Sequence, residues 1–178
     1  VDVQTVTREA AAHVVELSGV LEPIRSTWVS AEVAGSIVEI RAVEHSSVRA
    51  GDVLVRLDAA LPQAQLIRAQ ASYDLGRSEL ERQKQLGTQR VASQAELDRA
   101  KAEERRSYAA LIEAETALAD TAVVAPFAGL VNSLEFDPGA YVSPGTRIAE
   151  LLDVATLELT LFVSDRQVGS IQVGDIAR

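Results

Sequence analysis

Two stretches of helical pattern dominate the middle of the chain, between residues 59 and 120. Helix-forming residues run almost without interruption from Leu61 to Leu86, and again from Gln94 to Ala119. The intervening residues 87–93 read Gly-Thr-Gln-Arg-Val-Ala-Ser and break the pattern. At a rise of about 1.5 Å per residue, each arm would be roughly 40 Å long. The pattern therefore predicts an antiparallel α-helical hairpin whose arms pack as a coiled coil.

The second arm carries a stripe suited to packing against the first. Its members recur at intervals of three and four residues: Leu97, Ala100, Glu104, Ser107, Leu111, Ala114 and Leu118. For the first arm the pattern allows two alternative inner faces. One consists of Leu61, Leu75 and Leu86 with polar neighbours, and the other of Ala64, Ile67 and Ala71. A seam of such small residues buries little surface, so we expect the hairpin to be the most mobile part of the molecule.

The hairpin separates two copies of one strand-rich motif, at residues 26–58 and 121–155. Five positions match at identical offsets, namely Ala31, Gly35, Val48, Gly51 and Leu57 in the first copy and Ala125, Gly129, Val142, Gly145 and Leu151 in the second. Each copy has an apolar face that it cannot bury alone, which predicts a pseudo-twofold β-sandwich. The four glycines are expected in turns with positive φ. Asp58 is the predicted N-cap of the first helix, with Pro62 tolerated in its first turn.

The two ends of the chain, residues 1–25 and 156–178, show strand patterns without partners of their own. A strand is predicted from Ala12 to Leu21, ending near Pro23, and another from the alternation of Leu157, Leu159, Leu161 and Val163. A short capped helix over 164–171 and a strand from Val173 should follow. We interpret both ends as parts of one incomplete β-barrel domain and expect a longer protein. The predicted fold is therefore α+β, elongated and modular, a β-sandwich split by a helical hairpin plus part of a β-barrel.

Composition narrows the function further. A net charge of −9 argues against nucleic-acid binding, because no basic field is available to neutralise phosphates. The sequence has no Cys and no Met, so disulfides, thiol catalysis and soft-metal sites are excluded. The only two histidines, His13 and His45, are expected on a strand surface and in a loop. Since neither a phosphate loop nor a catalytic carboxylate pair is legible, the sequence predicts no enzyme and no bound cofactor.

Two strings carry a family resemblance, VSAEVAGSIVEI…VRAGDVLVRLD at 29–58 and TAVVAPFAGLV…DPGAYVSPGTRIAELLD at 121–153. They resemble the split lipoyl-like domain of the periplasmic adaptor subunits, or membrane fusion proteins, of tripartite efflux pumps. The start of the second string, Thr121 to Gly129, is especially characteristic. Adaptors that serve TolC-like ducts also carry Arg-x3-Leu-x6-Ser around the hairpin tip, and Arg82, Leu86 and Ser93 match it. One departure is His45, where the family often has Gly.

The resemblance implies a non-enzymatic adaptor in the periplasm, anchored to the inner membrane through a segment outside this chain. It would link an inner-membrane resistance-nodulation-division (RND) transporter to a TolC-like outer-membrane channel and assemble as a ring, by resemblance a hexamer. The implied site is the tip, with Arg82, Leu86 and Ser93 contacting the duct. On spacing alone, these three residues also fit an exposed Arg, a seam Leu and an N-cap Ser.

Three other functions stay open at this stage. The chain could be the adaptor of an ABC-type exporter or of a type I secretion system, or a plain coiled-coil spacer. A lipoyl-like fold could also carry lipoate or biotin on a Lys at the turn between its halves. That reading is disfavoured because the only two lysines, Lys84 and Lys101, fall on the helical arms.

Overall fold

The computed structural model describes residues 17–88, 94–164, 168–170 and 173–174. The chain divides into two compact units, Arg25–Ala155 and the pair of segments Val1–Ile24 and Thr156–Arg178. The elements in chain order are β1 (Ser18–Ser30), β2 (Gly35–Ile40), β3 (Ser47–Val48), β4 (Val53–Leu57), α1 (Ala60–Thr88), α2 (Gln94–Ala119), β5 (Ala122–Val124), β6 (Gly129–Leu134), β7 (Tyr141–Val142), β8 (Arg147–Phe162) and a 3₁₀ turn at Val168–Ser170.

The strands form two four-stranded sheets whose orders correspond, β1-β8-β6-β3 and β5-β4-β2-β7. The offset between the two sequence copies maps β2 onto β6, β3 onto β7 and β4 onto the first part of β8. Each half lends a two-residue strand to the sheet of the other half, since β3 pairs with β6 and β7 pairs with β2. The predicted pseudo-twofold β-sandwich and the α+β class are confirmed.

Backbone hydrogen bonds between the halves come in matched pairs, as the repeat requires. Donor first, they include Gly51 to Ala125 (2.8 Å), Gly145 to Ala31 (2.8 Å), His45 to Val131 (2.7 Å) and Gly139 to Ile37 (2.8 Å). These bonds satisfy the turn amides of one half with carbonyls of the other, so neither half is self-sufficient. The core between the sheets is aliphatic, and its most deeply buried side chains are Ile37, Leu54, Val131, Ile148 and Leu151.

The glycines of the repeat serve two different purposes. Gly51 and Gly145 have φ of +86° and +85°, which confirms the turn prediction. For Gly35 and Gly129 that prediction is wrong, because they begin β2 and β6 and neither is among the described residues with positive φ. They are glycines because another chain segment passes close by. A Cβ at Gly129 would overlap the carbonyl oxygen of Leu152.

The chain ends also differ from the sequence prediction. β1 does not stop near Pro23 but runs through it to Ser30. It lies at the edge of its sheet, where a residue without an N–H costs no ladder hydrogen bond. Val173 and Gly174 form a turn rather than the start of a strand, because Gly174 has φ of +106°. The predicted stretches at 12–16, 165–167, 171–172 and 175–176, and His13, lie outside the described residues.

Candidate docking site at the end of the helical hairpin

The hairpin is joined directly to the sandwich at both of its roots. The Ala60 amide donates to Asp58 Oδ1 at 2.9 Å, which confirms Asp58 as the cap of α1. After α2, the Thr121 hydroxyl donates to the Leu118 carbonyl at 2.7 Å. The carbonyl of Thr121 in turn accepts from the Leu57 amide at 2.8 Å. Because β4 precedes α1, β5 follows α2 and the two strands pair antiparallel, the sandwich holds the two roots side by side.

The inner face of α2 is the predicted one. Ala100, Ser107, Leu111 and Ala114 are buried. The other three members of the stripe, Leu97, Glu104 and Leu118, are half-buried. Small residues at every second position of this stripe let the two helices approach closely, as the Ala-rich pattern indicated.

Both predicted inner faces of α1 are wrong. Leu61, Ile67 and Leu75 are 68%, 63% and 68% exposed, and Ala64 and Ala71 are exposed as well. The side of α1 that faces α2 consists of buried and half-buried residues at intervals of three and four: Leu66, Ala69, Tyr73, Gly76, Leu80 and Gln83. The reason is a close approach of the two helices at Gly76, where a Cβ would lie 2.9 Å from Ser107 Oγ and 3.4 Å from the Cα of Glu104. Only this register places a residue without a side chain there.

Two of the three predicted tip residues lie on the last turns of α1. Arg82 is exposed and its guanidinium forms an ion pair with Glu79 at 2.9 Å. Leu86 follows one turn later and is half-buried. The two therefore lie on one helix, about 6 Å apart along its axis. Ser93 lies outside the described residues, so the arrangement of all three together stays a prediction.

A polar cluster beside Arg82 was not predicted from the sequence. Glu79 accepts a second hydrogen bond, from Gln83 Nε2 at 2.8 Å. One carboxylate thus orients both Arg82 and Gln83 along the side of the helix. The spacing of three and four residues between these side chains was the available signal. Arg82 is 64% exposed at its side chain, so its guanidinium is accessible to a partner.

A shallow trough runs along one side of the hairpin, nearer to the sandwich. Its volume is about 420 Å³ and its floor consists of small side chains, Ala69, Ser72, Ala110, Ala114 and Ala117. Gln65, Arg68 and Glu113 form its walls. Within the described ranges no helix is long and apolar enough to cross a membrane. The same part of the chain contains no group of three or more His, Asp or Glu side chains placed to hold a metal ion.

Comparison with known proteins identifies the family that shares this architecture. The family model described as RND MFP, barrel-sandwich hybrid domain, matches residues 25–153. The antibiotic efflux pump periplasmic linker protein ArpA of Pseudomonas putida is 34% identical over 145 residues, covering 82% of this chain and 39% of that protein. The nickel-cobalt-cadmium resistance protein NccB of Alcaligenes xylosoxydans xylosoxydans is 31% identical over 162 residues, covering 84% and 41%.

Among solved structures, a MacA–MexA chimeric protein containing the Pseudomonas aeruginosa MexA α-hairpin domain superposes with a TM-score of 0.77. It is 25% identical, and the match covers 86% of this chain and 56% of the chimera. The chain spans about two fifths of the length of the curated relatives it matches. With the family model covering most of its length, the chain belongs to the RND membrane fusion protein family and contains that family's barrel-sandwich hybrid domain.

Proposed function

We propose that this chain is the docking and ring-forming part of a periplasmic adaptor in a tripartite efflux pump. In this role the hairpin tip contacts a TolC-like outer-membrane channel, and the rest of the protein contacts an inner-membrane RND transporter. A segment outside this chain anchors the protein to the inner membrane. The adaptor is non-catalytic and acts by assembling and sealing a conduit. The relative ArpA supports this, since it is a periplasmic linker protein of an antibiotic efflux pump.

The observation that carries the proposal is the hairpin itself. It consists of helices of 29 and 26 residues, inserted between the two halves of the sandwich and clamped at both roots. At about 1.5 Å per residue, each helix extends roughly 40 Å. A carrier domain for lipoate or biotin does not require such an insertion. Both lysines lie on the hairpin, where Lys84 pairs with Glu81 at 2.6 Å and Lys101 with Asp98 at 3.4 Å.

The residues at the tip suit a contact that is weak for a single adaptor and is made again by each adaptor in a ring. The guanidinium of Arg82 offers a planar fork of donors that matches a carboxylate or a helix-terminal carbonyl of the duct. Leu86 would add a small apolar anchor one turn further, and Ser93, which precedes α2 in the sequence, would add a hydroxyl. A single contact of this size binds weakly, so several tips held in a ring would be needed to raise the avidity.

Two relatives with different roles support a role in assembly rather than in recognition of one cargo. NccB is named for resistance to nickel, cobalt and cadmium and ArpA for antibiotic efflux, yet they match 84% and 82% of this chain, so the two matched segments overlap over most of it. A segment shared by relatives with such different roles is better suited to assembly than to cargo recognition.

The test is binding of the chain, immobilised as an oriented array, to detergent-solubilised TolC-like channels. Arg82→Asp and Ser93→Arg should each reduce binding at least about tenfold, since tenfold corresponds to 1.4 kcal/mol. The matched control is Arg41→Asp. Arg41 is also an exposed Arg in a surface ion pair, with Glu39 at 3.0 Å, but it lies on the sandwich.

Each variant should keep the circular dichroism spectrum of the parent, because exposed ion pairs contribute only about 0–1 kcal/mol to stability. If Arg82→Asp, Ser93→Arg and Arg41→Asp all bind the channels like the parent chain, the docking role of the tip is wrong. If the parent binds no channel at all, the adaptor proposal itself fails for these partners.

A further inference from the structure

Glu79 lies on α1 two turns before Leu86, on nearly the same side of the helix. Seven residues turn a helix by about 700°, so the two side chains differ in direction by only about 20°. Arg82 and Gln83 lie between them along the chain, one to each side of that line. Glu79 is therefore about 10 Å further from the tip than Leu86 along the axis, yet it lies beside the residues that lead to the tip.

Both carboxylate oxygens of Glu79 are engaged. Oε2 forms the ion pair with Arg82 Nη1 at 2.9 Å, and Oε1 accepts a hydrogen bond from Gln83 Nε2 at 2.8 Å. Gln83 is half-buried on the side of α1 that faces α2, whereas the side chain of Arg82 is 64% exposed. The carboxylate thus ties an exposed guanidinium to the packed side of the hairpin.

The spacing of α1 offers Arg82 no second acidic partner on its own helix. Side chains meet along a helix surface when they are three or four residues apart. For Arg82 these positions hold Ser78, Glu79, Gln85 and Leu86, so Glu79 is the only acid among them. Removal of the Glu79 carboxylate would therefore leave the guanidinium without an ion-pair partner on α1.

The ion pair restricts a side chain that would otherwise lose much of its freedom on docking. Arg is among the side chains with the largest rotamer entropy, and ordering one such side chain at an interface lowers the affinity about two- to tenfold. A guanidinium has five N–H donors in a planar fork, so it can hold Glu79 with one nitrogen and an acceptor of the channel with the others. An Arg82 that Glu79 has already oriented therefore binds at a smaller entropic cost.

We propose that Glu79 is a positioning residue of the docking site. Its carboxylate holds the guanidinium of Arg82 in the orientation that contacts the channel, and Glu79 itself does not touch the channel. This inference rests on the proposed function, because Glu79 acts only through Arg82. Where several tips bind one channel, the contribution of Glu79 is repeated at each tip.

The first test compares Glu, Asp and Ala at position 79 for binding of the immobilised chain to detergent-solubilised TolC-like channels. Glu79→Ala removes the carboxylate, whereas Glu79→Asp keeps one that can still pair with Arg82 at a spacing of three residues. Ala is the best helix former and Asp is one of the poorer ones, so a purely structural role would make the Ala variant bind better than the Asp variant. Positioning predicts the reverse order. Glu79→Ala should lower the affinity at least about twofold, and Glu79→Asp should lower it less.

The matched control is Glu81→Ala, two residues further along the same helix. Glu81 also forms an ion pair at a spacing of three residues, with Lys84 at 2.6 Å, and its side chain is 56% exposed. The substitution removes the same charge from the same end of α1 and leaves the ion pair of Arg82 in place. Its affinity for the channel should stay close to that of the parent chain.

A double-mutant cycle with Arg82→Ala completes the test. In the Arg82→Ala background, Glu79→Ala should have no further effect on channel binding. Equal losses in both backgrounds, equal losses from Glu79→Ala and Glu81→Ala, or binding of Glu79→Ala as tight as the parent's would each overturn the positioning role. If Arg82→Ala weakens binding and Glu79→Ala does not, the docking proposal survives and only the role of Glu79 is lost. Binding of Arg82→Ala at the parent's affinity would overturn both.

Discussion

The turn at Gly139 allows the backbone strain of the repeat to be measured almost in isolation. Gly139 has φ of +94°, and a Cβ built on it would meet no atom within 4 Å. Gly139→Ala therefore adds no clash, only a side chain in the left-handed region. That conformation costs about 1–2 kcal/mol for an L-residue. The lower entropy of unfolded Ala offsets about 0.5–1 kcal/mol, which leaves a net loss of up to about 1.5 kcal/mol.

The first half of the sandwich provides the reverse experiment. His45 occupies the position equivalent to Gly139, and its φ is +62°. Its amide makes the matching hydrogen bond, to the Val131 carbonyl at 2.7 Å. By the same arithmetic, His45→Gly should stabilise the chain by up to about 1.5 kcal/mol. His45→Ala keeps a Cβ at the same φ, so it isolates the imidazole and should leave stability unchanged.

The assay is urea unfolding followed by the fluorescence of Trp28, the single Trp of the sequence, which lies in β1. Gly139→Ala should lower the midpoint and His45→Gly should raise it, at an unchanged slope. A 1 kcal/mol change corresponds to about 2–4 °C in Tm for a chain of this size. If Gly139→Ala is as stable as the parent and His45→Gly is less stable, then the strain argument for these turns is refuted.

Two further predictions concern packing. Gly129→Ala should destabilise the sandwich by about 3 kcal/mol or more, because its Cβ would overlap the backbone oxygen of Leu152, whereas Gly35→Ala should cost less, as its nearest neighbour is a side chain at 3.3 Å. Equal midpoints for the two variants in the Trp28 assay would contradict this. In the hairpin, Leu111→Ala should cost about 2–3 kcal/mol in thermal unfolding followed by helical circular dichroism, and Leu75→Ala less than about 0.5 kcal/mol. Leu111 is 6% exposed and Leu75 is 68% exposed, so a larger effect at Leu75 would show that the seam has been assigned to the wrong face.

The seam shows where sequence reasoning succeeded and where it failed. On α2 the stripe could be recognised because leucines recur along it and every second position is a small residue. On α1 the true inner face includes Gly76 and Gln83, which apolar periodicity does not score. The more hydrophobic Leu61, Ile67 and Leu75 misled the prediction and are exposed. Hydrophobicity ranks candidate faces of a helix, but the face that packs is the one the partner helix can approach.

The repeat was the most informative part of the sequence. Identical spacing of Ala, Val, Gly and Leu in both halves was enough to predict a sandwich in which neither half stands alone. The exchange of β3 and β7 between the sheets was not legible, because two-residue strands have no periodicity. The prediction of positive φ at Gly35 and Gly129 failed for a different reason: a glycine required by a close neighbour looks identical in sequence to a glycine required by a turn.

The class of fold, the two long helices, the sandwich repeat and the resemblance to adaptor proteins could all be predicted from the sequence, because they depend on local propensity and on spacing along the chain. The register of α1 on α2, and with it the set of side chains that remains exposed, could be seen only in the folded structure. The trough and the exposure of Ile112 both follow from that register. The sequence of a helix specifies all of its faces. The surface that another protein can contact consists of the side chains that stay exposed after the helix has packed against its neighbour.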